Sequence, residues 1–334
     1  MALPADTWDV IGNITFSESF GYLENGCDFD NTIETSKKAM NYFSLVGQLP
    51  FLDKLLDKNP LYRMGPPSFG AITNFSVQKL ADRLQEGEAN RGPGKPDFLG
   101  KFIEAKNQFS EVDDTRIVSY LMINMIAGAD TTAITFAVSL YFSLKNPEVW
   151  KRLRDEIPAQ PFTSDPTIFS HSDTKSFPYL RAVVDESKRL HPAVAMPLER
   201  YVPETGLALP NGQYIPPGYV VGMDPYTTGL NPFPWGKDPK VFRPERWLRD
   251  DRHESEAEYD NRLQSMKISD LTFGAGSRRC IGQNLALVEL YKTFATIVSR
   301  FDMTLLDPKD DLTTHNSFFL YPDGFKVSLS RRKE

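Results

Sequence analysis

The chain has 334 residues, 40% of them hydrophobic and 25% charged, with a net charge of −6. That is enough apolar material for one large core or two smaller ones, and the mildly acidic balance suggests neither a nucleic-acid partner nor an anionic membrane surface. The two cysteines, Cys27 and Cys280, lie far apart, which argues against a disulfide framework and for a reducing compartment, and His and Cys are too sparse to build a zinc site.

The N-terminal Met1-Ala2-Leu3-Pro4-Ala5-Asp6 reads as neither a signal peptide nor a membrane anchor. Thr7 to Leu23 reads as a helix running into a turn at Glu24-Asn25-Gly26, and a second helix follows from about Asn31 to Val46. Beyond Pro50 comes an amphipathic stretch, Phe51 to Lys58, and helical spacing returns from Ser68 to Gln85. Glu86 to Pro96 is polar and rich in Gly and Pro, a loop, and Asp97 to Lys106 makes a short helix.

The most apolar segment is Ile117 to Leu144, within a central helix over about 115–145 that Asp113 or Asp114 can cap and Asn146-Pro147 ends. At 1.5 Å per residue such a helix spans roughly 45 Å, a length that also suits a membrane span. Asp130 at its centre would cost about 2.5–3.5 kcal/mol in lipid, and a helix apolar on all sides equally suits the middle of a large soluble domain.

Pro147 to Ile157 and Pro178 to Leu190 are shorter charged helices. From Ala193 to Val221 the pattern turns to short strands with turns at Leu209-Pro210-Asn211-Gly212 and Ile215-Pro216-Pro217-Gly218. Gly229 to Asp250 is irregular and rich in Pro and Trp, a helix runs from Gln283 to about Arg300, and Met303 to Ser330 reads as strand and turn. The expectation is a mainly α fold with a small β portion.

Cys280 carries the strongest chemical signal. It sits in Phe273-Gly274-Ala275-Gly276-Ser277-Arg278-Arg279-Cys280-Ile281-Gly282, a glycine-rich loop with two arginines, at the mouth of a helix. Free N–H groups, a helix dipole and fixed positive charge all favour a thiolate there, fit to be a nucleophile or an axial haem ligand. The plainer reading is a buried small hydrophobe. The spacing of Phe273, Gly276, Arg278, Cys280 and Gly282 resembles the haem-ligand loop of the cytochrome P450 family, Phe-x-x-Gly-x-Arg-x-Cys-x-Gly, without a mismatch.

Other stretches resemble the same family in the family's order. Glu186-Ser187-Lys188-Arg189, by itself an ordinary one-turn ion pair, is similar to the family's Glu-x-x-Arg helix, and Pro244-Glu245-Arg246-Trp247 to its meander, with Trp247 where Phe is usual. The resemblance implies that Glu186, Arg189 and Arg246 form a buried network bracing the haem loop. Ala127-Gly128-Ala129-Asp130-Thr131-Thr132 leaves room beside the central helix and sets a carboxylate next to a hydroxyl; the plainer reading is a helix–helix contact eased by small residues. It resembles the family's oxygen-binding groove, which implies that Asp130 and Thr131 manage protons and that Gly128 borders the haem.

Arg278 matches the position that pairs with a haem propionate, and Arg200 is a candidate for the same role, against the reading as an ordinary surface arginine. Phe273 would pack on the thiolate side, beside Gly274, Gly276 and Gly282. His191 reads as a helix-end residue. Trp150 and Arg154 mimic the family's Trp-x-x-x-Arg but follow the long helix instead of preceding it, so that role is not carried over.

The resemblance implies a cytochrome P450 fold over 1–334, as a single partial domain of roughly the C-terminal two-thirds of a family member, lacking the N-terminal strands, early helices and one substrate-contacting loop. It implies a haem-thiolate monooxygenase with haem b, dioxygen, a small apolar organic substrate and NADPH-cytochrome P450 reductase as electron donor. Full-length relatives would sit on the cytosolic face of the endoplasmic reticulum. The alternatives are a non-catalytic fragment that binds haem poorly and an unrelated protein spanning a membrane once through Ile117 to Leu144. The style of the sequence resembles fungal members acting in secondary metabolism.

Overall fold

A computed structural model describes residues 3–86, 96–160, 168–309 and 311–332. They fall into two compact units, Met1–Ile134 with Ser317–Phe319, and Thr135–Asn316 with Leu320–Glu334. The mainly helical architecture with a small β portion is the one expected.

The first unit is built from α1 (Leu3–Phe16), α2 (Tyr22–Asn25), α3 (Thr32–Gln48), α4 (Phe51–Leu56), α5 (Gly70–Glu86), α6 (Phe98–Gln108) and the first part of α7 (Asp114–Lys145). The helix expected over Thr7 to Leu23 stops at Phe16. Ser17 turns to φ +62°, and the Asp9 carboxylate accepts the backbone N–H groups of Gly21 (2.8 Å), Tyr22 (3.1 Å) and Leu23 (2.8 Å). Three donors on one charged acceptor hold a reversal where helical spacing alone suggests continuation. The reversal brings Trp8, Phe16, Phe20, Tyr22 and Phe75 into a chain of ring contacts with centroids 5.0–6.4 Å apart, the aromatic centre of this unit.

Asp97 caps α6 by accepting from the Gly100 N–H at 2.8 Å, and also takes Arg83 (2.9 Å) and Ser17 (2.8 Å). Burial alone would raise its pKa; those donors outweigh it and hold the carboxyl below the usual carboxylate range. The loop expected over 86–96 lies, except for its ends, outside the described residues.

In α7 the capping choice goes to Asp113, which accepts from the Arg116 N–H at 2.8 Å. Thr131, Thr132, Ser139 and Ser143 turn their hydroxyls onto the carbonyl one turn back, at 2.7–3.0 Å, so polar residues sit in an apolar helix with their donors satisfied. The helix is long and apolar enough to cross a membrane, yet 61% of its most apolar window is buried within the protein, the behaviour of a core helix.

The second unit takes the end of α7, then α8 (Pro147–Glu156), α9 (Pro178–Leu190), the small helices α10 (Pro225–Gly229) and α11 (Pro232–Trp235), α12 (Glu256–Ser269) and α13 (Gln283–Arg300). Among the described residues the β portion is four two-stranded sheets. β1 (Leu198–Tyr201) pairs with β4 (Val220–Met223), and β2 (Leu207–Ala208) with β3 (Tyr214–Ile215), both antiparallel. β5 (Phe301–Leu305) runs antiparallel to β8 (Val327–Arg331), and β6 (Thr313–Ser317) pairs with β7 (Phe319–Asp323). Gly212 and Gly218 take φ +84° and +88° in the two expected turns, conformations that cost a glycine little. Helix α12 was not expected; its signature is the capping box Ser255-Glu256-Ala257-Glu258, formed in both directions. Leu290, Phe294 and Val298 of α13 are fully buried, Phe294 edge-on to Phe136 at 5.7 Å.

Candidate functional site

The cysteine loop is a closed backbone structure that presents its thiol outward. The Cys280 N–H donates to the Phe273 carbonyl at 2.8 Å, tying the two ends together. Within, Gly276–Arg278 form a 3-10 turn, and Gly274 and Gly276 sit at φ +68° and +63°, left-handed positions that any other residue would strain. A side chain at Gly276 would meet nothing within 4 Å, so this face of the loop is open. Cys280 and Arg278 are exposed, Phe273, Gly274 and Gly282 half-buried, and Ile281 is fully exposed at the entry to α13.

The donor set suits a haem. Among the described residues no group of three His, Cys, Asp or Glu could hold a metal ion. A metal taken up by the single thiolate of Cys280 would therefore bring most of its ligands with it, as porphyrin iron does.

A buried polar network joins α9 to the segment from Gly229 to Trp247. Glu186 is fully buried and accepts five hydrogen bonds, from Arg189 Nη2 (2.7 Å) and Nε (2.9 Å), Trp247 Nε1 (2.9 Å), the Arg243 N–H (3.0 Å) and Arg246 Nε (3.2 Å). Arg189 also donates to the carbonyls of Gly229 (2.5 Å) and Pro239 (2.6 Å), and Arg246 to that of Trp235. The helix therefore carries the acid, and the meander wraps it with donors. Two members escaped the sequence reading. Trp247, where the family has Phe, uses its indole N–H as a fifth donor. Asp238 receives Arg243 (2.8 Å) and Arg246 (3.1 Å), and the Arg243 hydrogen bond, seconded by Arg246, brings its carboxyl down to about 2.

In α7 the acid and the alcohol point apart, as neighbours about 100° apart on a helix must. Asp130 is buried at 2% exposure; its Oδ1 accepts from Trp8 Nε1 at 3.2 Å and its Oδ2 from Ser36 Oγ at 3.1 Å. Neither partner was apparent from sequence, since they lie 122 and 94 residues away. Thr131 is half-buried and its hydroxyl donates to the Ala127 carbonyl at 2.8 Å. Ala127 and Ile123 continue that stripe as exposed residues at four-residue spacing. Gly128 is taken up by packing: a side chain there would meet Ile11 of α1 at 2.9 Å, so its bareness serves the packing of α1 on α7.

Arg200 is exposed on β1, opposite Val221, with its guanidinium on the neighbouring Glu199 carbonyl at 2.6 Å. Trp150 is buried on α8, whereas Arg154 pairs with Asp302 at 2.8 Å; both line a cleft of about 550 Å³ between α8 and β5. His191 is buried at the end of α9, with Nε2 2.7 Å from the Leu320 carbonyl, a helix-end residue as expected.

A family model described as cytochrome P450 matches residues 5–329. Among curated proteins, the chain is 43% identical over 327 residues to the cytochrome P450 monooxygenase cfoH of Aspergillus candidus, covering 98% of this chain and 60% of that protein. It is 34% identical to the cytochrome P450 monooxygenase cicH of Emericella nidulans, over 97% of this chain and 63% of that protein. It is 30% identical to the cytochrome P450 monooxygenase vrtE of Penicillium aethiopicum, over 98% and 64%. The chain thus spans about three-fifths of the length of the curated relatives it matches.

Proposed function

Because this chain belongs to the cytochrome P450 family, we propose that it carries the thiolate-bearing part of a haem-thiolate monooxygenase. The reaction is insertion of one oxygen atom from O2 into a small apolar organic substrate, with electrons from NADPH-cytochrome P450 reductase. The observation that carries this reading is the cysteine loop: a closed, glycine-permitted turn with an exposed thiol and an exposed arginine, opening α13. The uninterrupted family match through both units supports one family domain over 1–334. The relatives, each a cytochrome P450 monooxygenase by name, support the reaction class.

Haem b, when bound, supplies the oxidising chemistry; the chain supplies the axial ligand, orientation and protons. Cys280 gives the thiolate. Gly274, Gly276 and Gly282 keep side chains off the backbone beside it, and half-buried Phe273 limits solvent on that side. Arg278 offers a guanidinium fork for a propionate, and Arg200 a second. Glu186, Arg189 and Arg246 act on the loop only by holding the backbone behind it. Thr131 presents the exposed hydroxyl and Asp130 is the buried acid behind it. Rotation of Asp130 away from Trp8 and Ser36 would bring the carboxyl toward that hydroxyl and pass on a proton. Gly128 acts through packing on Ile11.

The test is haem titration of the chain and of Cys280→Ala, followed by turnover of apolar substrates under labelled O2 with a reductase. The reading predicts stoichiometric uptake that depends on Cys280 and one labelled oxygen per product. Uptake that ignores Cys280→Ala, or product carrying no label, contradicts it.

A further inference from the structure

We propose that Lys188 is a positioning residue of the cysteine loop: its ammonium, fixed between Asp185 and Asp270, clamps the Phe273 ring and sets one positive charge behind Cys280. The inference rests on the haem-thiolate reading and adds to it a residue outside the Glu186 network.

Lys188 lies on α9 between Glu186 and Arg189, but its side chain is turned to other partners. It is buried, with Nζ 2.8 Å from Asp185 Oδ1, 3.6 Å from Asp270 Oδ2 and 5.3 Å from the centroid of the Phe273 ring. Lysines are almost never this buried unless paired, and a leucine would fill the site at no electrostatic cost. Burial pulls the ammonium pKa down; the carboxylates of Asp185 and Asp270 more than reverse this, leaving it above the usual lysine value and the charge permanent.

Three links run from that charge to the cysteine. The ammonium lies over the Phe273 ring, an attraction that strengthens out of water. Asp270 accepts from the N–H of Thr272 at 3.0 Å and from its hydroxyl, and so fixes the residue just before Phe273. The Phe273 carbonyl in turn accepts the Cys280 N–H at 2.8 Å. A buried cation and a half-buried anion are thus both tied to the loop.

The test exploits their opposite signs. A positive charge near the iron favours its reduced state. In the haem-loaded full chain, Lys188→Met should lower the ferric/ferrous reduction potential and Asp270→Asn raise it, each by on the order of tenfold in the ferric-to-ferrous ratio, about 59 mV for one electron. Lys188→Arg should restore the parent value. A part that merely packs would shift both variants the same way or neither, and either result overturns the electrostatic role. A second measurement needs no haem: a double-mutant cycle in urea unfolding of Lys188→Met with Phe273→Leu in the full chain. Losses that fail to add support the clamp, and additive losses overturn it. A chain that takes up no haem through Cys280 contradicts the haem-thiolate reading instead, and the cycle still decides the clamp.

Discussion

Replacing Glu186 by Gln tests the bracing network with almost no change of shape. Glu186 is fully buried, and Arg189 and Arg246 beside it are 2% and 3% exposed, so all three charges are out of water. In Glu186→Gln the amide oxygen can take the place of Oε1 and keep Arg189 Nη2, the Arg243 N–H and Arg246 Nε. The amide nitrogen then stands donor to donor against Trp247 Nε1 and Arg189 Nε, which now meet Oε2 at 2.9 Å. Two guanidiniums lose their buried counter-charge. Removing one partner of such a set costs about 3–5 kcal/mol, against a total stability of about 5–15 kcal/mol. With a urea m-value of about 3 kcal/mol/M, the unfolding midpoint falls by about 1–1.7 M. The exposed pair Arg249–Asp251 is the control: Asp251→Asn there leaves the unfolding midpoint essentially at the parent value. A Glu186→Gln midpoint within 0.3 M of the parent's, a loss of about 1 kcal/mol on the same m-value, would refute the reasoning.

Trp247→Phe restores the family's usual residue but removes one donor to a buried carboxylate, and should cost about 1.5–3 kcal/mol in urea unfolding. Asp130→Ala strips Trp8 and Ser36 of a shared acceptor and should destabilise by about 1–3 kcal/mol, while Asp130→Asn should be milder; both should slow product formation by about 10²-fold or more. Buried His191 has its pKa held down by burial, despite the hydrogen bond to Leu320. Below about pH 6.5 the unfolded chain therefore binds a proton the folded chain refuses, and stability should fall as pH drops through that value, less so in His191→Gln. Asp97 works at lower pH: its folded pKa is depressed, so its contribution is complete above about pH 4 and is lost as pH falls through the folded value, a slope that Arg83→Met should flatten.

The features legible in the sequence were those written at short range. Helices α7, α9 and α13 follow from apolar spacing and from Asp113, Pro147, Pro178 and Arg300 at their ends. The cysteine loop is legible because glycines at 274 and 276 stand where φ must be positive. The Glu186–Arg189 pair is legible as one helical turn, though only the family pattern brings in Arg246, 60 residues away. What stayed hidden was long-range polar pairing. Asp9 folds α1 back against the helical pattern, and Asp130 turns inward to Trp8 and Ser36 instead of outward. Gly128 shows the same limit: bareness in a helix signals close approach, but not whether Ile11 or a cofactor approaches. Helix α12 could have been found from Ser255 and Glu258 alone.

Sulfur bonded to haem iron through Cys280 is the centre of the account, and the most direct measurement is the absorbance of the reduced, haem-loaded chain under carbon monoxide. The account predicts the red-shifted band distinctive of thiolate-ligated haem, and its loss in Cys280→Ala. A reduced chain that binds haem without that band, or a band that survives Cys280→Ala, would contradict it.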